Sequence, residues 1–316
     1  MIPSYRVTRH ILDVIASMPA CVDAIYVVDD CCPDGSGKLV EEKNTDPRVR
    51  VVFLEPNEGV GGAVMAGYKA AVADGVDVIV KVDGDGQMDP ELIPAFIAPI
   101  LDGEADYTKG NRFYDLERIR QMPRVRLFGN AVLSFLTKLS SGYWGLFDPT
   151  NGFTAIHANV ARHLPYSQIS RRYFFETDLL FRLNTLGAHV VDIPMDAQYG
   201  DEVSNLKIRR IVGEFAFKHL RNFVKRIFYN YYLRDLSLAS VELPIGLLLL
   251  GFGVIFGLVN WIHYTGIQQP APTGTVVLAA LTAIIGIQFL LAFLAYDIAN
   301  VPKSSIHGRF RAARKG

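Results

Sequence analysis

The chain has 316 residues, a length that suits one large domain or two smaller ones. Its 32 basic and 32 acidic residues cancel, so the net charge favours no class of partner and gives no indication of nucleic-acid binding. Three cysteines, two of them adjacent, exclude a disulfide framework and match no zinc-binding spacing. The distribution of charge along the chain is more informative than its sum.

Strand-like and helix-like segments alternate over the first two hundred residues. Predicted strands cover 23–30, 48–55, 77–85 and 105–113, predicted helices cover 61–75 and 90–103, and IPSY at 2–5 resembles the end of a further strand. This alternation predicts an α/β domain with a mostly parallel sheet. Ligands of such sheets bind at the carboxyl ends of the strands, where the VVDD and VDGD segments place their aspartates.

A basic stretch follows the α/β region. Eight Lys or Arg and one acidic residue, Glu214, lie between Lys207 and Arg234. Apolar residues recur there at roughly helical spacing: Ile208, Ile211, Val212, Phe215, Phe223, Ile227 and Tyr231. A basic amphipathic helix directly before a membrane segment is typical of an interfacial helix. The alternative is an ordinary surface helix packed on its own domain.

From Leu243 to Tyr296 the sequence has no Asp, Glu, Lys or Arg. This window is long enough for two membrane spans of roughly 20 residues, predicted at Leu243–Ile262 and Thr273–Tyr296. A buried hairpin of a soluble protein is the disfavoured alternative, because soluble helices normally show water one polar face.

The predicted organisation has four parts: an α/β domain at 1–204, basic amphipathic helices at 205–236, a two-helix transmembrane hairpin at 237–300 and a basic tail at 301–316. Lys and Arg flank the hairpin on both sides, whereas the connecting turn has none. The positive-inside rule therefore predicts an integral membrane protein whose α/β domain and termini are cytoplasmic. A homo-oligomer is compatible with this organisation.

The segment VDGDGQMDP at 82–90 carries a chemical motif. Asp83 and Asp85 stand one residue apart at a strand end, and the amide oxygen of Gln87 lies within one further turn. Mg²⁺ or Mn²⁺ prefers such oxygen ligands and usually takes one or two carboxylates together with substrate phosphates. A metal there would neutralise a diphosphate leaving group. The structural alternative is a strand-to-helix turn with Asp89 as helix cap.

A glycine-rich segment, NEGVGGAVMAGYKAA, covers 57–71. It is not a Walker loop, because no Gly-Lys-Ser/Thr follows, and it is not a complete G-x-G-x-x-G after the first strand. A glycine-rich turn of this kind more often serves tight packing than phosphate binding.

Seven segments resemble those of family 2 glycosyltransferases and occur in the same order: IPSY, VVDD with DGSG, NEGVGGAVMAGYKAA, DGDGQMDP, GNRF, DPTNGF and FFETDLLFRL. Together with the apolar hairpin they resemble the polyprenyl-phosphate (dolichol-phosphate) hexosyltransferases. The resemblance implies a Rossmann-like GT-A fold, Mg²⁺ or Mn²⁺, and a nucleotide-sugar donor of the GDP-mannose or UDP-glucose type. It also implies inversion at the transferred sugar.

The resemblance assigns a donor site. Pro3 and Tyr5 match the segment that lines the base pocket, and Asp29 and Asp30 match the pair that holds nucleobase and ribose. Asp83, Asp85 and Gln87 match the metal and diphosphate motif, and Gly62 completes the nucleotide-sugar set. Two departures alter this site: Cys31, Cys32 and Pro33 intervene before DGSG, and Val60 replaces a basic residue.

The resemblance also assigns an acceptor side. Arg112 faces the acceptor phosphate, and an arginine fork suits phosphate oxygens. Arg124 and Arg126 are further candidates, with a solvated or membrane-facing charge as the alternative. Asp178 stands where many family members carry a catalytic base and is interpreted as a positioning residue or weak base. Asp85, Arg112 and Asp178 form the predicted catalytic set.

The expected reaction transfers mannose or glucose from the nucleotide sugar to a polyprenyl phosphate at the cytoplasmic membrane face. The lipid phosphate is already largely ionised near neutral pH and needs little help from a base. A processive polysaccharide synthase is one alternative, although QISRRY at 168–173 lacks the tryptophan of that group and precedes Asp178. A non-catalytic membrane adaptor and a soluble nucleotidyltransferase are the alternatives from other classes.

Overall fold

In a computed structural model, residues 1–114, 124–148, 151–196 and 208–312 are described. Backbone contacts divide the chain into two compact units, one comprising Met1–Phe223 with Pro302–Gly316 and the other Val224–Val301. The four-part division made from the sequence remains a prediction.

The first unit contains two sheets. Their strands are β1 (Ile2–Ser4), β2 (Ile25–Asp29), β3 (Val49–Phe53), β4 (Val78–Lys81), β5 (Tyr107–Asn111), β6 (Thr154–His157) and β7 (Val190–Pro194). Strands β1, β2 and β3 pair in parallel, and β4, β6, β5 and β7 follow one another in the second sheet. Only β6 among these strands runs antiparallel to its neighbours. The predicted α/β class with a mostly parallel sheet is confirmed.

The described helices are α1 (Ile11–Ala16), α2 (Ser36–Lys43), α3 (Val60–Ala73), α4 (Ile93–Leu101), α5 (Arg124–Ser141), α6 (Ala158–Ala161), α7 (Phe175–Leu186), α8 (Ile208–Phe228), α9 (Leu238–Gly266), α10 (Thr273–Ala299) and α11 (His307–Ala312). All five residues of β2 are buried, as expected for a strand covered on both faces. Helix α7 ends at Gly187, whose φ of 83° suits glycine at a helix terminus.

Packing in the core of the second sheet fixes the position of the loop that contains Asn151 and Gly152. The rings of Phe96 and Phe153 stack with their centroids 4.0 Å apart, and both are fully buried. Burying a side chain of this size contributes about 1.5–3 kcal/mol. Because Phe153 directly follows Asn151 and Gly152, its burial fixes the end of the DPTNGF segment against the sheet.

Helix α8 buries polar side chains and exposes apolar ones. His219, Asn222 and Arg226 recur at helical spacing and are buried. The opposite side of the helix exposes Phe217, Leu220, Val224 and Phe228. Of the apolar face expected from the sequence, Ile227 and Tyr231 are buried, Phe215 and Phe223 are half-buried, and the side chains of Ile208, Ile211 and Val212 lie outside the described residues. In a water-soluble amphipathic helix the polar residues are exposed and the apolar residues are buried, so the buried polar residues and exposed apolar residues of α8 are the opposite arrangement.

Each buried polar group of α8 has a partner on a neighbouring helix of its own unit. His219 Nδ1 lies 2.9 Å from Ser140 Oγ, and Asn222 Nδ2 donates to Asp178 Oδ1 at 2.9 Å. In the second unit, Arg226 donates two hydrogen bonds to Asp297, at 2.6 and 2.9 Å. Tyr231 donates a third to the same carboxylate at 2.6 Å. Polar contacts therefore hold the inner face of α8.

Helices α9 and α10 have 29 and 27 residues and are long and apolar enough to cross a membrane. They include and extend the two predicted spans. Their contact requires glycine, because a Cβ at Gly253 would lie 2.7 Å from Ala283 N and one at Gly286 would overlap Leu250 N. Small residues that let two helix backbones approach closely are typical of membrane helix pairs.

The tail returns to the first unit. The carboxylate of Asp106 is fully buried and accepts hydrogen bonds from the backbone N–H groups of His189, Ile306 and His307, at 2.8–3.0 Å. The His307 ring contacts it at 2.9 Å through Nδ1 and stacks on His157. Further along, Phe310 stacks on His163 at 4.0 Å. A single buried charge thus holds the start of α11.

The Asp106 contacts yield a testable expectation. Asp106→Asn keeps the size of the side chain but removes the charge and one acceptor oxygen. We expect a loss of about 2–4 kcal/mol in stability, because backbone donors lose their buried acceptor. Trypsin should then cleave after Lys303 and Arg309 faster than in the wild type. The exposed Asp102→Asn is the matched control, and equal cleavage of all three proteins would contradict the expectation.

His219 predicts a dependence of stability on pH. Burial lowers the pKa of His219 to about 4, whereas an unfolded histidine titrates near 6.5. Between these values the unfolded chain binds a proton that the folded chain does not bind, so stability falls as pH drops from about 6.5 to 4. We expect His219 to account for on the order of 2 kcal/mol of that loss.

The measurement is thermal unfolding in detergent at pH 7.5 and 4.5. His219→Gln keeps a polar partner for Ser140 but cannot titrate, so it should show a smaller loss at pH 4.5 than the wild type. His10→Gln, at an exposed histidine, should behave like the wild type. A loss in His219→Gln as large as that in the wild type would contradict the role of this imidazole.

Candidate active site

The predicted donor and acceptor residues lie at the carboxyl ends of the strands. Strand β2 runs into Asp29 and Asp30, the Asp83–Asp85 motif follows β4, and Arg112 follows β5. Loops hold these strand ends through hydrogen bonds to their carboxylates and ammonium groups.

Asp29 and Asp30 support two loops with their carboxylates. Asp29 accepts from the backbone N–H groups of Cys32 at 2.7 Å and Gly37 at 2.6 Å. Asp30 accepts from Glu58 N at 2.6 Å and Gly59 N at 2.8 Å. Burial raises the pKa of Asp30, and these backbone donors partly oppose the shift. Direct contact of either aspartate with a nucleobase or ribose stays a prediction.

The inserted cysteines shape the loop after β2. Cys31 has a φ of 51°, a left-handed conformation that is uncommon for a residue with a Cβ. Cys32 Sγ accepts a hydrogen bond from Arg6 N at 3.1 Å, which ties this loop to the chain after β1. Tyr5 is exposed beside it, and Pro3 is half-buried in β1. The loop therefore borders the segment assigned to the base pocket.

The glycine-rich turn serves close packing. The N–H groups of Gly61 and Gly62 donate to Arg171 O at 2.8 and 3.3 Å. A Cβ at Gly61 would overlap Ser170 O, and one at Gly62 would overlap Glu58 Cβ. Gly62 is buried in this contact, and its place in the nucleotide-sugar set stays a prediction.

The D-x-D motif contains an ion pair that the sequence analysis did not anticipate. Lys81 Nζ donates to Asp83 Oδ1 at 2.6 Å and to Gly152 O at 3.0 Å. Asp85 Oδ1 accepts from Gln87 N at 3.0 Å. Both aspartates and Gln87 are half-buried, so the predicted metal ligands reach the surface, and their joint contact with a metal stays a prediction.

The residues of this motif fit a divalent cation that shares its ligands with a substrate. Among the described residues, no group of three or more His, Cys, Asp or Glu side chains is placed to hold a metal ion on its own. Mg²⁺ is commonly bound by one or two carboxylates plus substrate phosphates and water. Asp83 and Asp85, with Gln87 as a third oxygen donor, meet that requirement.

A second buried lysine holds the loop opposite the motif. Lys109 Nζ donates to Asn151 O, and Asn151 Oδ1 accepts from Phe153 N at 2.9 Å. Burial lowers the pKa of Lys109 to about 8, although the charges of Glu176 and Asp148 oppose the shift. The two lysines thus bind consecutive carbonyl groups, those of Asn151 and Gly152.

Arg112 is held by a fully buried carboxylate. Its Nε donates to Asp148 Oδ2 at 2.7 Å and its Nη2 to Asp148 Oδ1 at 3.1 Å. The Arg112 side chain is 31% exposed. Burial raises the pKa of Asp148, but Arg112 and Lys109 lower it more, and the net direction is downward. Arg124 and Arg126 lie in the first turn of α5, and their side chains lie outside the described residues.

Asp178 and Glu176 have different surroundings on α7. Asp178 is fully buried and accepts from Ser170 N at 2.8 Å and from Asn222 Nδ2 at 2.9 Å. Glu176 is half-buried. Burial raises the pKa of Glu176, while the positive charges of Lys81 and Lys109 oppose the shift. Glu176, and not Asp178, is therefore the α7 carboxylate that interacts with the lysines of the site.

An apolar groove adjoins the Arg112–Asp148 pair along the chain. Its volume is about 280 Å³. It is lined by Phe113, Leu127, Asn130, Ala131, Ser134, Phe135, Lys138 and Phe147. Phe113 directly follows Arg112 and Phe147 directly precedes Asp148, while Lys138 Nζ lies 5.6 Å from the centre of the Phe147 ring. The groove combines an apolar lining with cations at its border.

Residues 2–164, which are 163 of the 316 residues, match the description Glycosyl transferase family 2. The chain belongs to this family. The resemblance stated from the sequence motifs is confirmed.

Similar curated proteins act on lipid phosphates according to their names. The chain is 31% identical over 173 residues to an undecaprenyl-phosphate mannosyltransferase of Micrococcus luteus, covering 54% of this chain and 70% of that protein. It is 30% identical over 200 residues to a polyprenol monophosphomannose synthase of Mycolicibacterium smegmatis, covering 62% and 75%. A UDP-N-acetylglucosamine–dolichyl-phosphate N-acetylglucosaminyltransferase of Methanococcus voltae is 28% identical over 213 residues, covering 63% and 84%.

Solved structures support the fold of this glycosyltransferase. Glucosyl-3-phosphoglycerate synthase from Mycobacterium tuberculosis, crystallised with Mn²⁺, UDP and phosphoglyceric acid, superimposes with a TM-score of 0.51 at 18% identity. The match covers 71% of this chain and 76% of that one. The expected GT-A fold is confirmed.

Sequence reasoning missed three residues in the site of this glycosyltransferase. Lys81 and Lys109 each interrupt an apolar strand, and a charged residue at such a position indicates a buried partner. Glu176 lies two residues before Asp178 on α7, and residues with this spacing on a helix point about 200° apart, so both could not face the same cleft. The spacing therefore contained the information that would have separated them.

The Arg112–Asp148 pair predicts an asymmetry between its two partners. Arg112→Met leaves a fully buried carboxylate without its guanidinium, and we expect a loss of about 3–5 kcal/mol. Asp148→Asn leaves a partly exposed arginine that water can solvate, and we expect a loss of about 1–2 kcal/mol. Denaturant unfolding in detergent measures both.

The surface pair Arg171–Glu58 is the control, because its side chains are 60% and 32% exposed. Arg171→Met should cost less than about 1 kcal/mol. An Asp148→Asn protein that is less stable than Arg112→Met would show that the buried carboxylate does not depend on Arg112.

Proposed function

We propose that this glycosyltransferase transfers a hexose, mannose or glucose, from a nucleotide sugar to a polyprenyl phosphate with inversion at the sugar. The products are a polyprenyl-phosphate sugar and a nucleoside diphosphate. The observation that carries the proposal is the position of Arg112, held by Asp148 beside an apolar groove. The names of the relatives agree, since each of the three acts on a polyprenyl or dolichyl phosphate.

The acceptor would bind where the Arg112–Asp148 pair adjoins the apolar groove. The Arg112 guanidinium would bind the phosphate, because a planar fork can donate to two phosphate oxygens. The first isoprene units would occupy the groove between Phe113 and Phe147. We propose Arg124 and Arg126 as further cations near the acceptor phosphate.

The donor would bind at the ends of β1, β2 and β4. We propose that Pro3, Tyr5, Asp29 and Asp30 shape the pocket for base and ribose, and that Gly62 borders it. When bound, Mg²⁺ or Mn²⁺ would be held by Asp83, Asp85 and Gln87 and would neutralise charge on the diphosphate. The donor type, GDP-mannose or UDP-glucose, belongs to the proposal.

The chemistry is a single displacement. An oxygen of the lipid phosphate forms a bond to the anomeric carbon, while the bond from that carbon to the donor diphosphate breaks. The phosphate is already ionised, so the protein mainly has to orient two anions. In that role Asp178 acts as a positioning residue, because its carboxylate is occupied by Ser170 N and Asn222 Nδ2.

The membrane location rests on two features. Helices α9 and α10 are long and apolar enough to span a bilayer. Helix α8 exposes Phe217, Leu220, Val224 and Phe228, with lysine and arginine between them. An exposed apolar face flanked by basic residues suits the bilayer interface. The cytoplasmic side is proposed from the basic flanks of the hairpin.

The test is a transfer assay on the full chain in detergent. Polyprenyl phosphate, Mg²⁺ or Mn²⁺ and labelled GDP-mannose, UDP-glucose or UDP-N-acetylglucosamine are supplied in turn, and label entering the organic phase is counted. One donor should label the lipid. Asp85→Ala should lower the rate by about 10²–10³-fold, the scale of a lost electrostatic contact to the transition state.

Asp89→Asn is the matched control, since Asp89 lies in the same segment but caps the turn Pro90–Leu92. It should keep the wild-type rate. Folded protein that labels no lipid from any donor would reject the lipid acceptor. Label that appears in a polymer instead would favour a processive synthase.

A further inference from the structure

Lys81 lies at one end of a polar row that crosses the second sheet. Lys81 on β4 is opposite Thr154 on β6, which is opposite Lys109 on β5, which in turn is opposite Asp192 on β7. Directly opposed residues project from the same face of a sheet. Such a row inside an apolar sheet needs a reason, because unpaired polar groups are costly to bury.

The contacts of Lys81 show what this row does near the D-x-D motif. Only 1% of the Lys81 side chain is exposed, and its ammonium group lies 2.6 Å from Asp83 Oδ1. Gly152 covers the pair, since a Cβ there would overlap both Asp83 Oδ2 and Lys81 Nζ. The lysine therefore has access to Asp83 and to the Gly152 carbonyl.

The ammonium of Lys81 is charged in this position. Its Nζ donates to Asp83 Oδ1 at 2.6 Å, which is the geometry of an ion pair between an ammonium group and a carboxylate. Two carboxylates of the proposed metal site are therefore partly balanced by a positive charge of the protein itself. The charges of Lys81, Asp83 and Asp85 sum to −1, so a divalent cation would meet a net charge of −1 instead of −2.

We propose that Lys81 is the built-in counter-ion of the metal site. It weakens the binding of a divalent cation to the protein alone, so that the cation binds tightly only together with the diphosphate of a nucleotide. This inference rests on the proposed role of Asp83 and Asp85 in holding the donor's metal. Lys81 is a positioning residue in this scheme, because it acts on the cation through Asp83.

The physical reason is the sign of the charges. A cation at Asp83 and Asp85 experiences the repulsion of an ammonium that lies within hydrogen-bond distance of one ligand. A nucleoside diphosphate adds negative charges and further oxygen ligands, which outweigh that repulsion. Cation and nucleotide should therefore raise each other's affinity, since such coupling is reciprocal.

The experiment measures Mn²⁺ binding directly, from the EPR signal of free Mn²⁺, with full-length protein in detergent and no acceptor. In the wild type, GDP or UDP should strongly raise the affinity for Mn²⁺. In Lys81→Met, affinity for Mn²⁺ without nucleotide should rise about tenfold, because even a solvated charge a few ångströms away has an effect of this order. The further gain from nucleotide should shrink.

Two variants test the cause. Lys69→Met removes an exposed lysine whose ammonium lies over the Tyr166 ring and not at Asp83, and it should leave nucleotide-free Mn²⁺ affinity unchanged. Lys81→Met with Asp83→Asn should lose the gain, because the released carboxylate is gone. If thermal unfolding shows that Lys81→Met is not folded, Lys81→Gln takes its place, because glutamine retains a donor for Gly152 O.

A folded Lys81 variant that binds Mn²⁺ no more tightly than the wild type would overturn the inference. So would wild-type protein whose Mn²⁺ affinity is the same with and without GDP and UDP. Neither readout uses sugar transfer. Failure of the lipid assay and failure of the counter-ion role are therefore distinguishable.

Discussion

A buried ammonium group must have oxygen partners, and this requirement organises the site of this glycosyltransferase. Lys81 and Lys109 stand inside the second sheet, where no water can satisfy them. Their partners are the carbonyl groups of Gly152 and Asn151, together with Asp83. Asn151 and Gly152 therefore have to lie against the second sheet, and Phe153 follows them into the core.

This requirement connects the two halves of the site. The loop held by the lysines begins at Asp148, and Asp148 holds Arg112. The Asp83 end of β4 and the Arg112 end of β5 are thus joined through one short segment. In the proposed transfer, a shared support for the donor side and the acceptor side would limit how far the two substrates can move apart. Buried ion pairs contribute little to the free energy of unfolding, but here they restrict the loop and the strand ends to one arrangement.

Several parts of this arrangement could be predicted from the sequence. The alternation of strands and helices, the uncharged window and the D-x-D spacing are local patterns, and each depends on a few neighbouring residues. The partners of Asp148 and Asp178 could not be predicted so easily, because they come from distant segments: Arg112, Ser170 and Asn222. Helix α8 was predicted to be an interfacial helix from its apolar and basic residues, with a packed surface helix as the alternative. Its buried polar residues, His219 and Asn222, could not be predicted from that pattern, because their partners Ser140 and Asp178 come from distant segments.

The contacts of Asp106 also constrain how the protein is made. Its carboxylate is buried by backbone N–H groups that lie 200 residues later in the chain, at Ile306 and His307. The whole apolar hairpin is synthesised between the two. When the first 223 residues have been synthesised, Asp106 has its contact with His189 N but lacks those with Ile306 and His307. The first unit can therefore complete its fold only after α9 and α10 have been synthesised.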